Sequence, residues 1–250
     1  MYTLKKSLGQ HFLKDENISR QIVEVLKEHP FSRLLEVGPG GGALTKYLLS
    51  LKEIDFKCVE LDEEKVQWLL KTYPALQGKI IPGSILEIAQ PFEGYFTVVG
   101  NFPYYISSQI LFRILEWREA VPCMVGMFQK EVAQRIASRE GNKVYGVLSV
   151  LVQAFYTVDY LFEVHENCFN PPPNVKSAVI RLLRRTDIPA MKSERSFLIL
   201  VKAAFNQRRK TLRNATKSLF DEHSLLDPIF EKRAEQLTPA DFAHLTFRMK

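Results

Sequence analysis

The sequence predicts an α/β fold, with helices on both faces of a parallel sheet, followed by a small all-helical domain. Strand-like and helical patterns alternate along roughly the first hundred residues, which is typical of a parallel sheet. A glycine-rich loop follows an early strand, and ligands of such sheets bind beyond the carboxyl ends of the strands. The strand signal is lost after Thr186. We therefore expect one domain over residues 1–185 and a second over residues 186–250.

The individual elements follow from the spacing of apolar residues, which repeats every two residues in a strand and every 3.6 in a helix. Helix 17–28 has its apolar residues at helical spacing, and strand 33–37 is a short apolar run that ends at a glycine. The elements expected after these are helix 43–51, strand 56–61, helix 63–71, strand 79–81 and strand 96–99.

Composition and charge narrow the classes of function. The chain is 46% hydrophobic and 25% charged, as in an ordinary globular protein, and no apolar run approaches the roughly 18 residues of a membrane span. Its N-terminal stretch lacks the apolar core of a signal peptide, so we expect a cytoplasmic protein without a membrane partner. The net charge of +6 favours a polyanionic partner. The histidines and cysteines show no metal-ligand spacing, so we expect no metal.

The glycine loop and the acids near it predict a nucleotide-containing cofactor. The segment Gly38–Gly42 (GPGGG) allows a tight turn and a close approach of backbone to ligand. Glu60, at the end of the next strand, can accept hydrogen bonds from both hydroxyls of a ribose. Glu36 completes the pattern ExGxGxG, which resembles the first motif of S-adenosylmethionine methyltransferases, whereas a pyrophosphate prefers a site without an acid nearby. NAD binding and a plain flexible turn are the alternatives.

The stretch Asn101–Tyr104 (NFPY) follows a strand and matches the Asn/Asp-x-Pro-aromatic motif of methyltransferases that act on ring-conjugated amines. The Asn101 side-chain oxygen and a main-chain carbonyl can accept the two N–H bonds of an adenine amine, which directs the nitrogen lone pair at a methyl group. Pro103 adds no competing donor, and Tyr104 offers a stacking face. The alternative is a proline turn that closes a strand and buries its aromatics.

Phe169 is the candidate for a second stacking aromatic. A base in structured RNA leaves its stack at a cost of a few kcal/mol, and one stacking aromatic recovers roughly 1–3 kcal/mol. Phe169 stands beside a proline run in a loop between two late strands. Its alternative role is a hydrophobic plug in that hairpin.

Segment 193–220 contains no glycine or proline and predicts one long helix capped by Ser193. On a continuous helix, one edge would present a row of cations beside an apolar stripe. This row consists of Lys202, Arg209, Arg213 and Lys217. We expect it to contact RNA phosphates without reading sequence, with a patch extended by Arg181, Arg184 and Arg185. A solvated charged face is the alternative.

Motifs along nearly the whole chain resemble those of the KsgA-type small-subunit rRNA adenine dimethyltransferases. The matching segments are Leu8–Leu13, Glu36–Gly42, Gly100–Tyr104, Gln129–Val132, Tyr145–Val150, Phe169–Val179 and Arg208–Asn214. The resemblance implies a Rossmann-like class I sheet that binds S-adenosylmethionine (SAM). It also implies dimethylation of N6 on two adjacent adenosines in the hairpin loop near the 3′ end of 16S rRNA, in the assembling small (30S) ribosomal subunit. We expect a monomer.

The same resemblance implies the residues of the site. Those implied for the cofactor are His11, Leu13, Gly38, Glu60, Ser84 and Asn101. Those implied for the target base are Asn101, Phe102, Tyr104 and Phe169. An N-terminal motif over residues 5–16 would fold over the cofactor. The residues alone give no reason to single out His11.

Three positions depart from the family pattern. One is His11, which replaces the asparagine of some relatives, and we expect this change of a polar contact to be tolerated. Ser84 stands where the family usually has an aspartate that bonds the adenine amine of the cofactor, and a charged hydrogen bond exceeds a neutral one by roughly 1 kcal/mol. We therefore expect several-fold weaker donor binding. Tyr105 stands where the family commonly has asparagine. The departures at Ser84 and Tyr105 keep open a slow or non-catalytic ribosome-assembly factor. Two further candidates are the family that methylates a large-subunit rRNA adenine and confers macrolide resistance, and a NAD dehydrogenase.

Overall fold

A computed structural model describes residues 11–250, which pack into two compact units. The first comprises the described residues up to Ala133 together with Asp159–Arg184. The second comprises Gln134–Val158 and Arg185–Lys250. Residues 5–10 of the motif expected to cover the cofactor, and with them Leu8–Gln10 of the matching N-terminal segment, lie outside the described residues.

The described residues form nine strands and nine α-helices. The strands are β1 (Phe12–Leu13), β2 (Arg33–Val37), β3 (Asp55–Glu60), β4 (Ile80–Pro82), β5 (Thr97–Asn101), β6 (Cys123–Gln129), β7 (Tyr156–Val164), β8 (Phe169–Asn170) and β9 (Ser177–Arg184). The helices are α1 (Glu16–Lys27), α2 (Thr45–Leu48), α3 (Glu63–Thr72), α4 (Ser107–Glu116), α5 (Lys130–Ala137), α6 (Val147–Gln153), α7 (Glu194–Asn206), α8 (Leu212–Thr216) and α9 (Pro239–Leu245). In this part of the chain no helix is long and apolar enough to cross a membrane.

The main sheet has seven strands in the order β4-β3-β2-β5-β6-β9-β7. The pairs from β4 through β6 are all parallel, which confirms the arrangement predicted for the first half of the chain. β9 pairs antiparallel with β6, so the complete sheet is mixed. The reversal has a local cause: β9 follows β7 through a short connection that contains no long crossover helix, and a parallel return requires such a crossover.

The register of the central strands positions the ligand-facing loops. β2 is buried along most of its length and pairs with β5 so that Leu35 lies opposite Val98 and Glu36 opposite Val99. Both strands run in the same direction, so the loop after β2 and Asn101 at the end of β5 emerge side by side at one edge of the sheet. A small second sheet pairs β1 with β8 antiparallel.

The second unit contains residues that the predicted second domain does not. The sequence pattern assigns residues 134–158 to the first domain, but α6 packs against α7 and α9. The Tyr145 hydroxyl also donates a hydrogen bond to the carbonyl of Leu237 at 3.0 Å. These contacts join residues that are far apart in sequence, so a boundary read along the chain misses them.

The prediction of one long helix over residues 193–220 is wrong. Ser193 does cap α7, but this helix ends at Asn206, and α8 begins only at Leu212. The Leu212 side chain is fully buried and its amide donates to the carbonyl of Lys232 at 2.7 Å. Burial of Leu212 redirects the chain after α7, so the spacing of one continuous helix does not extend across residues 207–211.

Phe102 fills a gap in the sheet that glycine creates. Its side chain is only 1% exposed and its ring lies 5.0 Å from the ring of Phe128. A Cβ at Gly126 would lie 2.2 Å from the Phe102 ring, and a Cβ at Gly100 would lie 2.7 Å from it. Both distances are impossible contacts, so these glycines let Phe102 pack flat on the sheet and hold the NFPY turn in place.

A Gly126→Ala substitution tests this packing. The added methyl group has no room beside Phe102, and overpacking of this kind costs roughly 1–3 kcal/mol. We expect urea denaturation to report a loss of that size. The double variant Gly126→Ala with Phe102→Leu should lose less free energy of unfolding than the two single variants lose in sum, because the smaller side chain relieves the clash. Strict additivity would contradict the proposed contact.

Candidate active site

A cavity of about 280 Å³ opens at the carboxyl edge of the sheet. Its walls come from the glycine loop after β2, the ends of β3 and β5, the turn after β4, and strand β1. All six residues that the resemblance implied for the cofactor line this cavity: His11, Leu13, Gly38, Glu60, Ser84 and Asn101.

The glycine loop has backbone angles and close neighbours that other residues would not tolerate. Gly40 has φ of +54°, and a Cβ on it would lie 3.1 Å from the Phe12 ring. Gly42 has φ of +80°, and a Cβ there would lie 2.6 Å from the Tyr73 ring. The loop therefore presents backbone rather than side chains to the cavity, and a ligand can approach its N–H groups closely.

Glu60 is held with its carboxylate beside the glycine loop. One oxygen accepts the amide of Gly40 at 3.1 Å, and the other accepts the amide of Asp62 at 3.0 Å. The side chain is only 6% exposed. A carboxylate oxygen can accept two hydrogen bonds, so each oxygen keeps capacity for one ribose hydroxyl. This donor set fits an adenosine-containing ligand.

Glu36 is a second acid of the cavity wall, and it is fully buried. The Thr45 hydroxyl donates to its Oε2 at 2.7 Å. Burial raises the pKa of the Glu36 carboxyl to about 8, and the nearby Glu60 charge adds to the rise. At neutral pH the Glu36 carboxyl is therefore largely protonated.

Ser84 begins the turn after β4, and part of its hydrogen-bonding capacity is already in use. Its hydroxyl oxygen accepts the amide of Leu86 at 3.2 Å. The hydroxyl proton and a second lone pair stay available to a ligand. An aspartate at this position could cap the same turn and still offer a full charge, whereas the serine offers only an uncharged hydroxyl.

Asn101 and Tyr104 also line the cavity, and each contacts His11. The Asn101 Nδ2 group donates to the main-chain carbonyl of His11 at 3.3 Å. The Tyr104 hydroxyl forms a hydrogen bond with the Ser177 hydroxyl. Burial raises the pKa of Tyr104 above its ordinary value of 10.0, so its ring carries a neutral phenol at physiological pH. Tyr104 can stack against a base but is not a ready general base.

Phe169 does not join the other residues expected around the target base. Its side chain is fully buried in the core of the first unit. Phe169 belongs to β8, where it lies opposite Leu13 of β1. Asn101, Phe102 and Tyr104 line the cavity, whereas Phe169 occupies the hydrophobic-plug position that was its alternative.

The cavity also contains residues that the sequence did not single out: Phe12, Lys65 and Tyr73. The Lys65 ammonium lies 5.1 Å from the centroid of the Phe12 ring, which in turn covers Gly40. Lys65 follows Glu60 within the first turns of α3, and this proximity to a predicted ligand residue was a usable signal. No sequence signal marked Tyr73 or Phe12, because they come close to the glycine loop only through tertiary packing.

The predicted row of cations is divided between different elements. Lys202 lies on α7, Arg209 in the turn, Arg213 on α8 and Lys217 just beyond it. Arg209 and Lys217 are exposed. Arg213 is engaged within the second unit, because it donates to the carbonyl of Leu225 at 3.1 Å and pairs with Glu231 at 2.6 Å.

The arginines expected to extend the patch are also engaged in local contacts. Arg181 pairs with Asp159 at 2.9 Å and with Glu28. Arg184 donates to main-chain carbonyls, and Arg185 pairs with Asp187 at 2.5 Å. These contacts stabilise the fold. Within residues 11–250, no group of three or more His, Cys, Asp or Glu side chains is arranged to hold a metal ion.

Comparisons with known proteins agree over almost the entire chain. A family model described as "Ribosomal RNA adenine dimethylase" matches residues 1–247. A protein of Cytophaga hutchinsonii named "Ribosomal RNA small subunit methyltransferase A" is 50% identical over 248 residues, covering 97% of this chain and 95% of the relative. A protein of the same name from Flavobacterium johnsoniae is 50% identical over 250 residues, covering 98% and 95%.

Solved structures show the same architecture. A dimethyladenosine transferase from Plasmodium falciparum superposes with a TM-score of 0.75 at 26% identity, covering 93% of this chain and 94% of the other. The 23S rRNA methyltransferase ErmE superposes with a TM-score of 0.68 over 94% of this chain and 99% of its own, and its 23% identity relates the two by fold alone.

Glu36 should make the stability of the fold depend on pH. Its folded pKa of about 8 lies above the ordinary value of 4.5. Between these values the folded protein holds a proton that the unfolded chain has lost, so rising pH lowers the free energy of unfolding. We expect wild-type protein to lose stability relative to Glu36→Gln by about 1.4 kcal/mol per pH unit as the pH rises from about 5 to about 8. Urea midpoints measure this, and parallel pH curves for the two proteins would refute it.

Proposed function

Because this chain belongs to the ribosomal RNA adenine dimethylase family, we propose that it transfers methyl groups from SAM to N6 of two adjacent adenosines in the hairpin loop near the 3′ end of 16S rRNA. The substrate is the assembling 30S subunit, and the enzyme acts as a monomer in the cytoplasm. The observation that carries this proposal is the cavity that the glycine loop, Glu60 and Asn101 line together.

The donor side of the cavity suits SAM. Glu60 would accept the ribose hydroxyls, the backbone of Gly38 would approach the ligand, and Ser84 would meet the adenine. Leu13 of β1 and His11, which precedes this strand, would contact the donor. The bound donor supplies an electrophilic methyl group. Glu36, largely protonated at neutral pH, adds little negative charge until a cationic ligand enters.

The acceptor side suits an adenine amine. The Asn101 side-chain oxygen and a nearby main-chain carbonyl would accept the two N6–H bonds, which favours a lone pair directed at the methyl group. Attack by N6 forms the new N–C bond as the S–CH3 bond of the donor breaks, and the electron pair of that bond stays on sulfur, which leaves as the neutral thioether S-adenosylhomocysteine. The methylated amine is cationic, and its proton then passes to water. No strong base is required, in keeping with the neutral phenol of Tyr104. Catalysis then depends mainly on positioning.

Small-subunit rRNA is favoured over the other candidate substrates. Relatives near 50% identity carry a small-subunit name, whereas the likeness to the 23S rRNA enzyme extends to fold alone. A NAD dehydrogenase leaves the Asn101–Tyr104 turn without a role. A slow assembly factor is the second candidate, supported by Ser84, whose hydroxyl is partly committed to Leu86, and by Tyr105, which is 52% exposed at the cavity.

RNA docking would use exposed cations of the second unit. Lys202, Arg209 and Lys217 are exposed and would contact phosphates, while Arg213 would contribute through its placement of α8. The turn that carries Arg209 is held by Arg208, which donates to the carbonyls of Lys143 and Tyr145 at 2.8 and 2.9 Å. This tether gives Arg209 a defined position on the surface.

Asn101→Ala tests the proposed function at the reacting amine. It removes the acceptor for N6–H but leaves the glycine loop and Glu60 intact. We expect methyl transfer to unmodified small subunits to fall by at least a hundredfold, on the order of 3 kcal/mol, while calorimetry shows SAM binding within a few-fold of wild type. Retained turnover would refute the role of Asn101.

Arg209→Glu tests the docking surface. The Arg209 side chain is exposed and forms no ion pair with the described residues, whereas Arg213→Glu would disrupt the contact with Glu231. We expect weaker RNA binding and a log–log salt slope smaller by roughly 0.7 to 0.9 for the lost phosphate contact. Lys71→Glu on α3 is the control, because it changes the net charge equally at a different surface. Equal effects from both variants would rule out a specific Arg209 contact.

A further inference from the structure

The imidazole of His11 lies where the target base is expected. Its ring stacks on Tyr104, with centroids 5.7 Å apart and an angle of 27° between the planes. The Nδ1–H group donates to the carbonyl of Pro171 at 2.9 Å. The ring is therefore held between the stacking aromatic and the segment that follows Phe169.

The backbone of the same residue engages the amine-binding group. The His11 carbonyl accepts the Nδ2–H of Asn101 at 3.3 Å. One residue thus contacts two groups proposed for the target adenine, the Tyr104 face and the Asn101 amide. The imidazole, like a purine, is a flat aromatic ring with an N–H donor. It can therefore occupy the slot proposed for the adenine.

We propose that the His11 side chain is an internal occupant of the target-base slot, which the incoming adenine must displace from Tyr104. This inference rests on the proposed function, because it requires Tyr104 to stack on a flipped base. It assigns the His11 ring to the acceptor side of the site. Any contact of residue 11 with the donor then comes from its backbone.

The pairing of β1 with β8 limits how far the opening extends. The ladder consists of only two residue pairs, Phe12 with Asn170 and Leu13 with Phe169. Phe169 is fully buried behind it. When the His11 ring, at the start of the strap formed by His11–Leu13, moves aside, Tyr104 loses its imidazole cover while Leu13 and Phe169 stay paired.

The strap has a second attachment that lies over the donor loop. The Phe12 ring covers Gly40, and the Lys65 ammonium lies over that ring at 5.1 Å. Displacement of His11 alone leaves this attachment in place. Opening is therefore a local event at the base slot, and it costs the stacking contact together with two hydrogen bonds.

The slot's occupant should weaken apparent RNA affinity, because only the open fraction of the protein accepts a base. An aromatic pair of this geometry corresponds to roughly a two- to tenfold effect on that fraction. Removal of the ring should therefore tighten RNA binding by the same factor. Replacement of His11 by a residue with a larger ring that keeps the stacking contact should not tighten RNA binding.

The test uses His11→Ala, His11→Phe and the exposed control His223→Ala. Binding of a hairpin RNA with 2-aminopurine at a target adenosine is followed by fluorescence without donor, and calorimetry measures SAM binding. We expect His11→Ala to bind the RNA roughly two- to tenfold more tightly with SAM affinity unchanged. His11→Phe should bind no more tightly than wild type, and His223→Ala should match wild type.

Several results would overturn the inference. Unchanged or weaker RNA binding by His11→Ala would show that the ring does not obstruct the slot, and equal gains by His11→Phe would attribute the effect to strap mobility. A loss of SAM affinity in His11→Ala would assign the ring to the donor. Failure of the proposed function would give a different result. His11→Ala would still bind the RNA more tightly than wild type, but the wild-type protein would transfer no methyl group to small subunits.

Discussion

The site depends on the parallel pairing of β2 with β5. This register sets Glu36 opposite Val99, so the glycine loop that follows β2 and Asn101 at the end of β5 face the same cavity. The loop proposed to bind the donor and the residue proposed to bind the acceptor are more than fifty positions apart in sequence, and this pairing makes them neighbours. A slip of one residue in β5 would turn Asn101 to the other face of the sheet and move it away from the glycine loop.

The packing beneath this pairing explains why the NFPY turn has its particular residues. Phe102 fills the space left by Gly100 and Gly126, which fixes the residues on either side of it. Asn101 then faces the cavity, and Tyr104 is tied to Ser177 through its hydroxyl. The two buried acids have separate roles: Glu60 is oriented by backbone amides, while Glu36 is largely protonated next to it at neutral pH. Rigid positioning and low charge both suit a reaction that needs little acid–base help.

The sequence predicted those parts of the protein that depend on local pattern. The bounds of β2, the glycine loop and the family itself are confirmed, because apolar period and motif spacing are local properties. The end of α7 at Asn206 was not predicted, because it depends on a main-chain hydrogen bond between Leu212 and Lys232. The contact of His11 with Pro171 spans 160 positions, and no spacing rule reaches that far. The roles of individual site residues stay predictions.

The most direct test of this account is the destination of the methyl group. Labelled methyl from SAM would be transferred to small subunits that lack the modification, and the label would be mapped to individual nucleotides. The account predicts label on N6 of two adjacent adenosines in the hairpin loop near the 3′ end of 16S rRNA. Binding to the particle without label, or label at any other nucleotide, would contradict it.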